Sequence, residues 1–364
     1  MGEMVPSVRT LPEQRHITGL SREEMRRTTS IFAATFGLLL PLVYCSMTNN
    51  DEYSSFLEVE QKLFELIENE KHQEAIDLLE RVTEKFPEQD YELRSYAGVV
   101  YAHKGDYEKC LDIWEAGIDD GYFFEIDPQL EIFEPFKKYG RFGDIAERNE
   151  ALRVAAVKGS KSKAKVLMPT NGNDGEYPLF IALHGGGSSM KGAERYWRSK
   201  QLQKRFIVVF IQSYLYDGMK TYAWRRFDPR SRKDIQELYD DIVTQYPVNT
   251  NQVVIGGVSA GGVMAIDVSI NGVIPTAGFI GVCPGKPTEF DKMKVRMARE
   301  RNIKGVIIGG EDDENLPFQK EMVNVFRHEH FPHEFIVVPG MGRTYPSNFS
   351  RKIDQAVDYI LGAR

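Results

Sequence analysis

Apolar residues along this chain follow two rhythms, and the change from one to the other divides it. From Phe56 the spacing is helical: Phe56, Val59, Leu63, Leu66 and Ile67 share one face, and Ile76, Leu79, Val82 and Phe86 repeat it until Pro87. That spacing predicts two helices packed as a hairpin, because each has one stripe to bury. Residues 127–139 are expected to continue into another helix pair. The polar run Lys158-Gly159-Ser160-Lys161-Ser162-Lys163 then reads as a boundary. Beyond it the apolar residues come in short runs, at 166–168, 180–183, 206–211, 253–255, 278–282, 306–308 and 335–338. Runs of this kind, separated by helical segments, predict a mostly parallel sheet covered on both faces. One of those segments, beginning at Asp228, carries Ile235, Leu238, Tyr239 and Ile242 on its core face.

The helical part has an internal period. A shift of 35 residues superposes Leu63 on Gly98, Leu66 on Tyr101, Ala75 on Cys110 and Leu79 on Trp114. Ala97 and Gly98 supply small positions and Tyr101 an aromatic one, which lets neighbouring helices approach closely. Residues 55–120 therefore resemble a tetratricopeptide repeat, whose period is close to this. Two repeats fall short of the three or so that a free-standing array needs. Two readings stay open, a docking surface for a peptide or protein partner and an N-terminal cap on the following domain.

At 364 residues, of which 42% are hydrophobic, the chain is long enough for about two domains with real cores. The period change places them at 51–155 and 160–364. A net charge of −7 argues against a nucleic-acid partner, which calls for a basic face. Cys45, Cys110 and Cys283 are scattered, with no CxxC spacing, so they form neither a disulfide framework nor a zinc site. Cys110 and Cys283 read as buried thiols, and no metal or organic cofactor is implied. Residues 1–50 are a separate problem. Arg26 and Arg27 followed by an apolar run to Tyr44 resemble a secretory signal at 26–45, which is too short for a stable membrane span of about 20 residues. A start at Met47 would instead make the extension spurious or disordered and the protein cytoplasmic, and this reading is preferred.

Two glycine motifs carry the chemistry. Gly257-Val258-Ser259-Ala260-Gly261 lies between an apolar strand and a helical run, the setting of a nucleophile elbow. Upstream, the run ending at Leu183 leads into His184-Gly185-Gly186-Gly187, a loop able to supply backbone donors to an oxyanion. Both follow strands, at the end of a parallel sheet where ligands bind. With Glu311, Asp312, Asp313 and Glu314 after the next-to-last strand, these motifs resemble the α/β-hydrolase superfamily, nearest the phospholipase/carboxylesterase and dienelactone-hydrolase type.

The resemblance covers residues 163–364 and implies a mostly parallel sheet, a serine nucleophile and a small ester as substrate. It implies that Ser259 Oγ attacks the ester carbonyl while the N–H groups of Ala260 and of Gly186 or Gly187 hold the oxyanion. The family's spacing from Gly310 selects Asp313 as the acid, with Asp312 as runner-up. At the histidine's place stands Arg343, whose guanidinium keeps its protons at ordinary pH and cannot be a general base. His328, His330 and His333 precede the last strand and are expected at the opposite end of the sheet. His184 is nearer but is expected to brace the oxyanion loop. Among the aromatics near the mouth, Tyr214 and Trp224 are expected, with His184, to line the substrate pocket.

Three functions follow from this pattern. One is a serine esterase made weak by Arg343. A second is a catalytically silent hydrolase fold in which Arg343, paired with Asp313, draws an anionic ligand toward Ser259. The third is a scaffold that recruits a protein partner through its helical repeats.

Overall fold

The computed structural model describes residues 53–172, 175–225 and 228–362. The signal-like run at 26–45, Cys45 and the alternative start at Met47 lie outside the described residues.

The helical rhythm gives two antiparallel pairs, α1 (Phe56–Glu68) with α2 (His72–Thr83) and α3 (Asp90–Lys104) with α4 (Tyr107–Asp119). Val59, Leu63, Ala75 and Leu79 form the first pair's core, which Val100 of α3 joins. Helix α3 stops at Gly105, whose φ of 82° places it in the left-handed region, and Asp106 then accepts from the Lys109 N–H to start α4. Close approach of α3 and α4 depends on Gly98, where a Cβ would sit 2.7 Å from Trp114 Nε1.

Residues 127–139 do not form the expected helix pair. They contain one short 3-10 helix, Glu131–Phe136, with Pro135 inside it. A proline lacks the N–H and clashes with the preceding turn, so an α-helix cannot run through this stretch. Phe133 and Phe136 are nonetheless buried, Phe136 lying 5.0 Å from the Trp114 ring. The long helix comes later, as α5 (Phe142–Gly159).

All seven apolar runs become strands of one sheet: β1 (Lys163–Leu167), β2 (Tyr177–Leu183), β3 (Ile207–Gln212), β4 (Val248–Val258), β5 (Gly278–Val282), β6 (Lys304–Gly310) and β7 (His333–Val338). The order is β1-β3-β2-β4-β5-β6-β7, with β1 antiparallel to β3 and every other pair parallel. The crossovers carry α6 (Met190–Tyr196), α7 (Lys200–Arg205), α8 (Pro229–Gln245), α9 (Ala260–Asn271), α10 (Lys292–Glu300) and α11 (Leu316–His328), and α12 (Phe349–Leu361) follows β7. Alternate residues of β2 serve two cores. Leu179 and Ile181 pack with Ile235, Met264 and Phe326 on one face. Phe180 and Ala182 pack with Trp197, Leu202 and Ile353 on the other. Each core needs its own helical cover, which is why the sheet is buried on both faces.

Register brings the functional loops together. Leu183 pairs with Gly257, Gly257 with Gly281, Val282 with Ile308, and Gly310 with Val338, so the segments after β2, β4, β5, β6 and β7 emerge at one end. The helical pairs contact the segment after β3. The Tyr91 hydroxyl accepts from the Met219 N–H at 2.9 Å, Lys220 pairs with Glu92 at 2.7 Å, and the Phe123 and Tyr216 rings meet edge-on. Among the described residues, no helix is long and apolar enough to cross a membrane.

Candidate active site

Ser259 ends β4 in a conformation that L-residues rarely adopt, with φ 50° and ψ −116°. Its N–H donates to Val282 O at 2.8 Å and its carbonyl accepts from Val263 N–H at 2.9 Å, so hydrogen bonds on both sides hold the strain. The turn closes only because two positions lack a side chain. A Cβ on Gly257 would overlap the Gly261 backbone, and one on Gly261 would overlap the His184 carbonyl.

His184 is fully buried. Its Nδ1–H donates to Gly185 O at 2.6 Å, and Nε2 accepts from the Ser213 N–H at 3.2 Å. Those two bonds fix the tautomer and occupy both ring nitrogens. Burial lowers its pKa to about 4, against the opposing pull of the Gly185 carbonyl. This ring braces the glycine loop and has no nitrogen free for Ser259. Within that loop a Cβ added at Gly186 would meet the Ala260 Cβ at 3.6 Å, an ordinary contact. Gly187, with φ 66°, turns its N–H to the Asp217 carboxylate.

Asp313 follows β6 and its side chain is wholly buried. It accepts from Gln319 Nε2 at 2.7 Å, the Asn315 N–H at 3.0 Å and Arg343 Nε at 3.3 Å. Arg343 also donates to Glu314 through NH2. The guanidinium therefore sits where a base would meet the acid, anchored by two carboxylates. Asp312 has its N–H bonded to Met341 O and stands outside this cluster of side-chain bonds. His333 pairs with Gly305 at the start of β6, and His328 and His330 close the α11 end, all at the sheet's other end.

Between Ser259 and Arg343 is a pocket of about 30 Å³, room for about one water, lined by Gly186, Ser188, Tyr196, Ser259, Arg343 and Tyr345. Its aromatic wall differs from the sequence expectation, since His184, Tyr214 and Trp224 do not line it. The Tyr214 hydroxyl donates to Asp228 at 2.9 Å and its ring lies under the Arg230 guanidinium. Trp224 is buried against His184, ring centroids 5.1 Å apart. Both belong to the segment after β3, which packs Trp224 behind the glycine loop at His184 and turns Tyr214 toward Asp228 and Arg230. The wall is instead built by Tyr196 and Tyr345, stacked at 4.3 Å and 9°. Tyr196 Oη is shut off from solvent without a hydrogen-bond partner, and burial pushes its pKa up to about 12, so it remains a donor.

Sequence reading missed three further members. Gln319 orients Asp313, and its spacing of six residues on the following helix is the only sequence signal for it. Asn315 donates to both Asp313 and Cys283, the latter through its side chain at 3.4 Å. Cys283 follows β5 with φ 46°, and its thiol faces the carbonyls of Gly342 and Thr344, both at 3.6 Å. Burial, then the Asp313 charge, pushes that thiol up to about 12, so it remains a neutral brace for the Arg343 loop. Among the described residues no group of three or more histidines, cysteines or carboxylates is placed to hold a metal ion.

A mostly parallel sheet flanked by helices, with a strained serine after a central strand, fits the α/β-hydrolase fold. No protein-family model matches the chain, and no curated protein matches it. Solved structures are similar to it. An uncharacterised Bacillus cereus protein is 21% identical over 84% of this chain and 98% of its own, with a TM-score of 0.46. S-formylglutathione hydrolase FrmB from Staphylococcus aureus is 13% identical over 55% of this chain and 93% of its own, at 0.41. SOBER1 from Arabidopsis thaliana is 18% identical over 51% of this chain and 99% of its own, at 0.42.

Proposed function

We propose that residues 160–364 are a serine hydrolase of carboxylesterase type for small esters, in which Arg343 in place of the base keeps turnover low. The observation that carries this reading is the meeting of Ser259, the Gly186 loop and the Asp313–Arg343 ion pair at one pocket. Ser259 Oγ attacks the carbonyl, and the N–H groups of Ala260 and Gly186 receive the developing oxyanion, a contribution of about 3 to 4 kcal/mol per donor in comparable sites. Gly187 is the weaker candidate, its N–H being held by Asp217. The missing step is proton removal from Oγ. Arg343 accepts no proton, His184 has both nitrogens engaged, and the charge of Asp313 is neutralised by the guanidinium. In subtilisin, loss of the histidine costs about 10⁶ in turnover.

A second reading has support from Arg343 itself. It borders the pocket beside Ser259, where a small carboxylate or phosphate would find a charge-assisted partner, so the same site suits retention of an anionic ligand. For residues 51–155 we propose a tetratricopeptide-like cap, supported by the two helical hairpins and by the Tyr91 and Glu92 contacts to the loop after β3.

The test is turnover of p-nitrophenyl acetate by the native chain, Ser259→Ala and Arg343→His. Native activity is expected within about tenfold of Ser259→Ala, and Arg343→His should gain at least about 10²-fold, a small part of what a histidine base supplies. A native chain that turns over efficiently and is silenced by Ser259→Ala would mean that another group serves as base.

A further inference from the structure

A second cavity, much larger than the Ser259 pocket, is not lined by Ser259. It holds about 990 Å³ and lies between helices α3 to α5 and the segment that follows β3. Aromatic side chains, Tyr91, Trp114, Phe124 and Phe133, form much of its apolar wall. The polar wall is dominated by carboxylates: Glu125, Asp127, Glu147, Glu150 and Asp217, against Lys137, Arg153 and Arg225.

Two of those cations already have carboxylate partners, Arg153 within the wall and Lys137 at its edge. Arg153 donates to Glu150 through Nε at 2.7 Å and NH2 at 2.6 Å, and to the Tyr216 carbonyl at 3.2 Å. Lys137 pairs with Glu134 at 2.5 Å. Glu125 is different. Its Oε1 accepts from the Thr221 hydroxyl at 2.5 Å, while Oε2 is shut off from solvent with no hydrogen-bond partner. Burial first and the neighbouring Asp217 charge second raise the Glu125 carboxyl well above its ordinary range. Asp217 is raised by burial too, opposed by Arg153, by the Gly187 N–H and by Arg225. Two carboxyl groups crowded in a shielded wall favour an added positive charge, since a cation relieves both their desolvation and their mutual repulsion.

We propose that this cavity is a second ligand site that takes a small organic cation, an ammonium or guanidinium head on an apolar body, with Glu125 and Asp217 as its counter-charges and the aromatic wall as the surface for the body. Such a wall adds cation–π and apolar contact to the charge pairing. The site is separate from the Ser259 pocket, so it stands whether or not Ser259 turns over an ester. Asp217 nonetheless connects the two, because it also holds Gly187 of the oxyanion loop.

Calorimetric titration of the full chain with benzylamine tests the proposal, with benzyl alcohol as the neutral probe and benzoate as the anionic one. Saturable benzylamine binding is expected, at least tenfold tighter than either control and weakened at least tenfold by Glu125→Gln, which keeps shape and removes charge. Asp217→Asn gives the same reading should Glu125→Gln fail to fold, and Ser259→Ala is expected to bind benzylamine as the native chain does. Absence of saturable benzylamine binding, equal binding of benzyl alcohol, tighter binding of benzoate, or unchanged affinity in a folded Glu125→Gln or Asp217→Asn chain would overturn it.

Discussion

His184 shows how one buried ring sets both loop geometry and a pH dependence. Its folded pKa is about 4, lowered by burial from the ordinary 6.5. Between those values the unfolded chain binds a proton that the folded chain refuses. The stability due to the neutral ring is therefore complete above about pH 6.5 and lost as pH falls toward 4, amounting to about 3 kcal/mol at 1.36 kcal/mol per unit. Urea denaturation at pH 7.5 and pH 5 should show the fall, and the His184 ring protons should not titrate by NMR above about pH 5. A ring that titrates near 6.5 would refute this account. Ser259, the Gly186 loop and Arg343 were legible as residues because glycine spacing and strand context specify a turn. Gln319 and Cys283 were not, since nothing local marks a glutamine or a thiol that acquires its partner only across the fold.

Among the elements, the strands were the most readable: the five inner strands, buried on both faces, need apolar runs, and the half-exposed edge strands β1 and β7 carry shorter ones of the same kind. The stretch at 127–139 was misread, because its Ile132, Phe133 and Phe136 suggest a helical stripe while Pro128 and Pro135 forbid the helix. Just upstream of this stretch the chain is held by a tertiary clamp at Phe124. Asn149 of α5, fully buried, accepts from the Phe124 N–H at 2.7 Å and donates to its carbonyl at 3.0 Å. Asn149→Leu would leave the buried Phe124 N–H unsatisfied, while the Phe124 carbonyl keeps the Ile126 N–H at 2.9 Å, so a loss of about 1 to 3 kcal/mol is expected by chemical denaturation. A change under about 0.5 kcal/mol, the usual range of surface substitutions, would show that water or a shifted backbone replaces the clamp.

For the whole molecule, the joint between the helical pairs and the loop after β3 matters most, because that loop also carries Asp217 and Trp224 toward the Gly186 loop. Tyr91→Phe removes one of the two acceptors of the Met219 N–H at the joint, the other being the Phe123 carbonyl at 3.0 Å. It is expected to cost about 0.5 to 1.5 kcal/mol and to raise amide exchange at 215–224 while β4 and α9 stay protected. Unchanged exchange there would mean that the Glu92–Lys220 pair and ring contacts suffice. The sequence by itself determined the two rhythms, the strand set, the glycine turns and the presence of an arginine where a base is expected, because each depends on local backbone conformation or on a run of apolar residues. Only the tertiary structure decided that Arg343 is anchored by Asp313 and Glu314, that both His184 nitrogens are engaged, that Tyr196 and Tyr345 rather than Tyr214 and Trp224 wall the pocket, and that carboxylates line a cavity between helices and loop. Those features depend on side chains meeting from elements far apart in the chain, and which partners meet is set by register and packing, which no single segment encodes.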